Sequence, residues 1–104
     1  MSAEREQQFK DLVNEFPNSP MGHFSLGKLY LEERRYPEAV QSLEAAVKLD
    51  PEYAAALVSL GDAYVGAGQT AQARTIWEQA VEKALAQKHS GLAGEIEDRL
   101  AELE

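Results

Sequence analysis

Two histidines, His23 and His89, are the side chains of this 104-residue chain that titrate near neutral pH, and cysteine is absent. No His-x-x-x-His pair exists, and no glycine-rich stretch joins a strand to a helix, so zinc ligation and phosphate cradling both lack their residue sets. His23 falls within an apolar helical pattern, where a packed or partly exposed structural imidazole is expected. His89 lies in a polar break and reads as a solvated loop residue. Glu95, Glu97 and Asp98 are hard oxygen ligands of the kind a divalent cation takes, but their spacing spreads them around a helix as a solvated face. The one adjacent basic pair, Arg34 and Arg35, has no wider basic patch around it. It is expected to end a helix, where cations complement the helix dipole. The reading is therefore of a chain that is no enzyme, with no catalytic residue, cofactor or metal.

Charge and hydropathy narrow the partners. Eighteen acidic against ten basic residues give a net charge of −8, which opposes binding to a polyanion, so nucleic acid is not an expected partner. No apolar stretch has membrane-spanning length, and Met1 to Asp11 is charged and polar rather than a leader. A soluble cytoplasmic protein with no membrane contact is expected. Without cysteine, redox chemistry says nothing about compartment.

The positioning elements all read as helices. The first spans Ala3 to Glu15 or Phe16, with Phe9, Leu12, Val13 and Phe16 on one face. Ser19 and Pro20 start a second that runs to Glu33, and a third runs from Pro37 to Leu49, closed by Asp50-Pro51. The fourth, Tyr53 to Ala67, stops at Gly68; Thr70 caps a fifth that continues to Gln87. Ser90 and Gly91 break the pattern, and a sixth helix carries Leu92, Ile96, Leu100 and Leu103 on one stripe as a terminal cap. Glu104 receives no functional weight.

The second to fifth helices repeat. Shifted by 34 positions, Ser25, Leu26, Gly27, Tyr30, Ala39, Glu44, Ala46 and Val47 fall on identical residues at Ser59, Leu60, Gly61, Tyr64, Ala73, Glu78, Ala80 and Val81. A period of that length belongs to helix-turn-helix units that bury their apolar faces by stacking. A mid-helix glycine costs about 1 kcal/mol relative to alanine. Gly27 and Gly61 therefore need an offset, and close approach of a second helix carrying only methyl groups at Ala39, Ala46, Ala73 and Ala80 supplies it.

The pattern resembles the tetratricopeptide repeat (TPR) family. One unit reads His23, Leu26, Gly27, Tyr30, Ala39, Leu43, Ala46, Pro51, and the next Leu57, Leu60, Gly61, Tyr64, Ala73, Trp77, Ala80, Leu85. His23 and Leu57 depart where tryptophan is favoured. Leu85 replaces the proline that turns the chain into a further unit, so the last repeat helix is expected to run on. The resemblance implies an all-α fold, a short α-solenoid of about six antiparallel helices: an N-terminal half-repeat helix over 1–19, repeats over 20–53 and 54–87, and a capping helix over 88–104.

It also implies a site. First helices of TPR units line a concave face, and their outward positions here are Met21, Phe24, Lys28 and Leu31, then Ala55, Val58, Asp62 and Val65. TPR domains that grip acidic C-terminal tails present Lys, Arg and Asn at such positions. Phe24 and Val58 replace two of those donors and Asp62 repels a carboxylate. An apolar protein or peptide segment is the expected occupant, with Phe24 as its anchor and Lys28 and Asp62 orienting it. The alternative is a homodimer through the same face.

Overall fold

The computed structural model describes residues 2–103; Met1 and Glu104 lie outside the described residues. The described residues form six helices and no strand: α1 (Ser2–Glu15), α2 (Pro20–Glu32), α3 (Tyr36–Leu49), α4 (Ala54–Gly66), α5 (Thr70–Ala86) and α6 (Ser90–Glu102). Each packs on the next in the chain, and α2 also meets α4, which sets the first helices of the two repeats side by side. The fold is the expected all-α solenoid.

Helix boundaries follow local chemistry. Ser19 is extended at φ −92° and ψ 135°, and its hydroxyl accepts from the Met21 N–H at 3.3 Å, with Pro20 opening α2 behind it. Three reversals share one geometry. A residue in the left-handed region follows the helix, and the next N–H returns five residues: Arg35 to the Tyr30 carbonyl at 2.8 Å, Gln69 to Tyr64 at 2.8 Å and His89 to Ala84 at 2.7 Å. Glycine occupies the left-handed position once, as Gly68 at φ 79°; Arg34 at φ 58° and Lys88 at φ 63° hold the other two.

These turns correct two expectations. Thr70 is the first residue of α5 rather than its cap, because the reversal at Gly68 leaves Gln69 in the capping place, with no side-chain bond to the helix. Ser90 and Gly91 open α6 rather than breaking the pattern, since Lys88 has already turned the chain. As Leu85 in place of proline implied, α5 runs on, reaching 17 residues against 14 in α3. Its end is tied to the α3–α4 junction by the Lys83–Glu52 ion pair and by Gln87, whose Nε2 donates to the Glu52 carbonyl at 2.6 Å.

The repeat helices nest on their small residues. Ala39, Ala46, Ala73 and Ala80 are fully buried. A Cβ added at Gly27 would enter the Leu43 side chain, and one at Gly61 would enter the Trp77 indole. That indole lies over α4 and donates its Nε1 hydrogen to the Val58 carbonyl at 3.0 Å. Two apolar clusters result. Leu26, Tyr30, Ala39, Leu43, Leu60 and Ala63 join the two repeats. Leu57, Trp77, Ala80 and Ile96 bind the second repeat to α6.

Helix α1 is held differently. Phe9 and Val13 are only partly buried against the first cluster, and α1 buries no described side chain completely. Its fixed point is Glu6, which accepts from Arg35 at 2.8 Å and from the Tyr30 hydroxyl at 3.0 Å and pairs with Lys10 at 3.2 Å. The Arg35 guanidinium, with Lys10 and Tyr30, brings the Glu6 carboxyl down from 4.5 to about 2. Arg35 also reaches Glu33 and Glu38 at 3.1 and 2.7 Å and lies 4.5 Å from the centre of the Tyr30 ring. The Arg34–Arg35 pair is therefore not a dipole cap. Arg34 is a turn residue, and Arg35 clamps α1 to the α2–α3 turn.

Candidate functional site

Helical spacing places Met21, Phe24, Lys28 and Leu31 on one stripe of α2, and Ala55, Val58, Asp62 and Val65 on the matching stripe of α4. Exposure along these stripes is uneven. Met21 (62%) and Val65 (41%) are exposed, as are Lys28 and Ala55. Phe24 and Leu31 are half-buried against the first cluster and Val58 against the second, so three of the five large apolar residues form a floor continuous with the core. Phe24 also meets Tyr53, with ring centroids 4.9 Å apart and planes inclined by 42°. Tyr53 went unnoticed in sequence because it lies at the α3–α4 junction, off the repeat's outward positions.

Asp62 sits half-buried at the middle of the α4 stripe and accepts from Arg99 of α6 at 2.9 Å. Burial pushes its carboxyl up from the ordinary value, while Arg99 and the more distant Lys28 pull it down. The Arg99 guanidinium carbon lies 6.0 Å from the Trp77 ring centre, so one cation ties α6 to both α4 and α5. Asp62 therefore already has a partner, where the sequence suggested a charge free to orient an occupant.

The Asp62–Arg99 bridge and the second cluster, against which Val58 of α4 and Leu92 and Leu100 of α6 all pack, make α6 a third first-type helix beside α4. Counted from helix starts, Ile96 follows Ser90 by the same six residues that separate Leu26 from Pro20 and Leu60 from Ala54. The outward stripe of α6 is then Gly91, Gly94, Asp98 and Ala101. A fixed step of 34 misses it because the longer α5 sets Ser90 thirty-six residues after Ala54. The signal was the Ser90 to Ile96 spacing itself.

The other concavities lie elsewhere. A cleft of about 360 Å³ between α1, α2 and α3 is walled by Lys10, Val13, Asn14, His23, Leu26 and Ser42. His23 is half-buried on that open cleft, because α1 covers this face of α2 loosely. His89 is exposed ahead of α6. Among the described residues no group of three His, Asp or Glu is placed to hold a metal ion, and no helix is long and apolar enough to cross a membrane. What the stripes offer is a surface of apolar contacts with one partly exposed ion pair, Asp62–Arg99, at its centre.

Comparison with known proteins agrees with this architecture. A family model for the tetratricopeptide repeat matches residues 30–90. A curated TPR repeat-containing protein of Pseudomonas aeruginosa is 43% identical over 56 residues, covering 54% of this chain and 53% of that protein, so the matched region spans about half the relative's length. Among solved structures, the TPR2B domain of yeast Sti1, in a complex with pHsp70, superposes with a TM-score of 0.91 at 17% identity, over 98% of this chain and 82% of that one. The type III secretion translocator chaperone SycD of Yersinia enterocolitica, described as an alternative dimer, gives 0.89 at 16% identity, over 98% and 78%. The solution structure of protein BPP2914 from Bordetella parapertussis gives 0.80 at 28% identity, over 94% and 85%.

Proposed function

The chain belongs to the tetratricopeptide repeat family, and from that premise we propose that it is a non-enzymatic binding module that holds a protein or peptide segment in the groove lined by α2, α4 and α6. One observation carries the reading. Exposed Met21 and Val65 flank a floor of half-buried Phe24, Leu31 and Val58, so an apolar occupant completes packing that the fold leaves open on one side. Complexation is also described for one neighbour of this fold, the Sti1 TPR2B domain.

A groove walled by helices presents side chains and no unpaired backbone edge, so affinity rests on surface complementarity, with Phe24 as the aromatic anchor on its α2 side. Capture of partners by the parent protein and by Phe24→Glu, side by side, tests this. The parent should retain a binder that Phe24→Glu loses, with both proteins folded by circular dichroism. Equal retention by both would remove the groove from the function. Self-association through the same face is the second reading, favoured by the exposure of Met21. Sedimentation over a concentration series separates the two, since a strict monomer excludes the dimer.

A further inference from the structure

We propose that the cleft between α1, α2 and α3 is a second binding site, independent of the groove, and that it takes a small aliphatic carboxylic acid. By helical spacing, His23 and Leu26 lie across α2 from the stripe of Met21, Phe24, Lys28 and Leu31. Helix α1 is seated beside the cleft. A Cβ added at Gly22 would run into Val13, and the opening lies next to that contact, toward α3. Its volume of about 360 Å³ falls in the range of clefts that hold one small molecule, about 300–1,000 Å³.

The second repeat shows the same place packed. A shift of 34 carries His23 to Leu57 and Ser42 to Ile76. Leu57 is 1% exposed and Ile76 packs against both apolar clusters, so the counterpart of the cleft is filled. What stays open there is a smaller concavity of about 220 Å³ over Tyr64, Gln72 and Thr75, which reaches neither Leu57 nor Leu60. In the first repeat an imidazole and a hydroxyl replace the two filling side chains, which forgoes their burial and leaves the space polar. The side chains of Asn14, His23, Gln41 and Ser42 make no hydrogen bond to other described residues. Four groups able to donate thus surround a floor of Val13, Leu26 and Ala45.

The sign of the ligand follows from the wall. Among the described residues that form it are the Lys10 ammonium and no carboxylate. The second repeat has Glu44 and Lys48 at the places of Lys10 and Asn14, one charge of each sign. Lys10 gives one hydrogen to Glu6 at 3.2 Å and is half exposed, which leaves two of its three for a ligand. Carboxylates flanking the cleft residues on α1 and α3 are engaged elsewhere. Glu6 and Glu38 hold Arg35, Asp11 accepts from Gln7, Glu44 accepts from the Tyr64 hydroxyl, and Glu15 walls a separate concavity at the α1–α2 turn. An amine would meet Lys10 with no carboxylate to pair with. A carboxylate accepts from Lys10 and from the imidazole, amide and hydroxyl donors, while its alkyl chain covers the floor.

Titration of isotope-labelled protein with hexanoate, followed by backbone amide chemical shifts, tests the proposal against hexanamide and hexylamine. Hexanoate should give saturable shifts at Asn14, His23, Gln41 and Ser42, with hexanamide weaker by about tenfold or more and hexylamine without effect. Installing the second-repeat residues, His23→Leu with Ser42→Ile, should abolish saturation while the urea midpoint stays level or rises. Lys10→Gln, at a half-exposed side chain, should weaken hexanoate about tenfold and serves should the double variant fail to fold. Met21→Glu, on the groove side, should change nothing. Absence of saturable shifts with hexanoate overturns the proposal, as does unchanged affinity in Lys10→Gln or in the folded double variant. Equal binding of hexanamide or hexylamine overturns the carboxylate assignment. Loss in Met21→Glu moves the acid to the groove and overturns the second site. Tighter binding of N-acetyl-alanyl-leucine at the same residues overturns the free acid in favour of a peptide C-terminus.

Discussion

Gly61→Ala should destabilise the protein although it improves the intrinsic propensity of α4. Taken alone, alanine for a mid-helix glycine favours the folded state by about 1 kcal/mol. Against this stands Trp77, whose indole occupies the space a Cβ would take and whose Nε1 hydrogen is committed to the Val58 carbonyl at 3.0 Å. The ring is rigid, 4% exposed and packed among Leu57, Ala80 and Ile96, so it has nowhere to swing. Overpacking of this kind costs about 1–3 kcal/mol, and displacing the indole from Val58 costs about 1 kcal/mol more in hydrogen bonding. The net expectation is a loss of about 2 kcal/mol, which in a domain of this size lowers Tm by on the order of 10 °C. Gly94→Ala is the matched control. Its Cβ meets nothing within 4 Å, so propensity acts alone and the variant should gain about 1 kcal/mol. Urea unfolding followed by far-UV circular dichroism and by Trp77 fluorescence measures both. A Gly61→Ala protein as stable as the parent, or a Gly94→Ala protein less stable than it, would refute the close-approach argument.

Trp77→Ala, which empties the joint between the second repeat and α6, should cost about 3–5 kcal/mol by the same unfolding assay; a loss below 1 kcal/mol would mean that α6 does not depend on the indole. Phe24→Ala should cost about 1–2 kcal/mol of stability, below the usual loss for a fully buried phenylalanine because its ring is only half-buried beside Tyr53. A fold-neutral result would detach Phe24 from the core floor. Glu6 predicts an acid limb. Its carboxyl is held at about 2 in the folded protein against an ordinary 4.5, so its contribution is complete above about pH 4.5 and disappears as pH falls through about 2. The urea midpoint of Glu6→Gln should therefore fall less steeply than the parent's between about pH 5 and 2, and parallel slopes would show that the Arg35 cluster does not hold Glu6.

The sequence disclosed those parts of the fold that repeat. Gly27 and Gly61, the buried alanines and the residues they admit recur at one spacing because each unit must nest on its own second helix. Helix ends came within about two residues of their places for the same reason. What escaped were features with no local pattern. Arg34 and Lys88 hold left-handed turns that glycine usually marks, so nothing in their residue type announced them. Arg35 meets Glu6 across 29 residues, a distance no helical spacing encodes. At the site, the α2 and α4 stripes were legible from register, but burial along them was not. Phe24, Leu31 and Val58 stand on those stripes and also touch the clusters beneath, and tertiary packing, such as that of Tyr53 on Phe24, decides how much of each remains exposed.

Glycine serves two opposite purposes here, and α6 shows why. In its register Glu97 stands where Gly27 and Gly61 stand in α2 and α4. Among the described residues no helix nests at that point of α6 as α3 nests on α2, and a carboxylate stands there. Freed of that constraint, the outer face of α6 carries charge, and its inner face keeps Ile96 for the core. The glycines of α6 are displaced onto the groove stripe, where no helix of this molecule approaches them. Gly27 and Gly61 yield space to the chain's own Leu43 and Trp77, whereas Gly91 and Gly94 yield space to nothing within it.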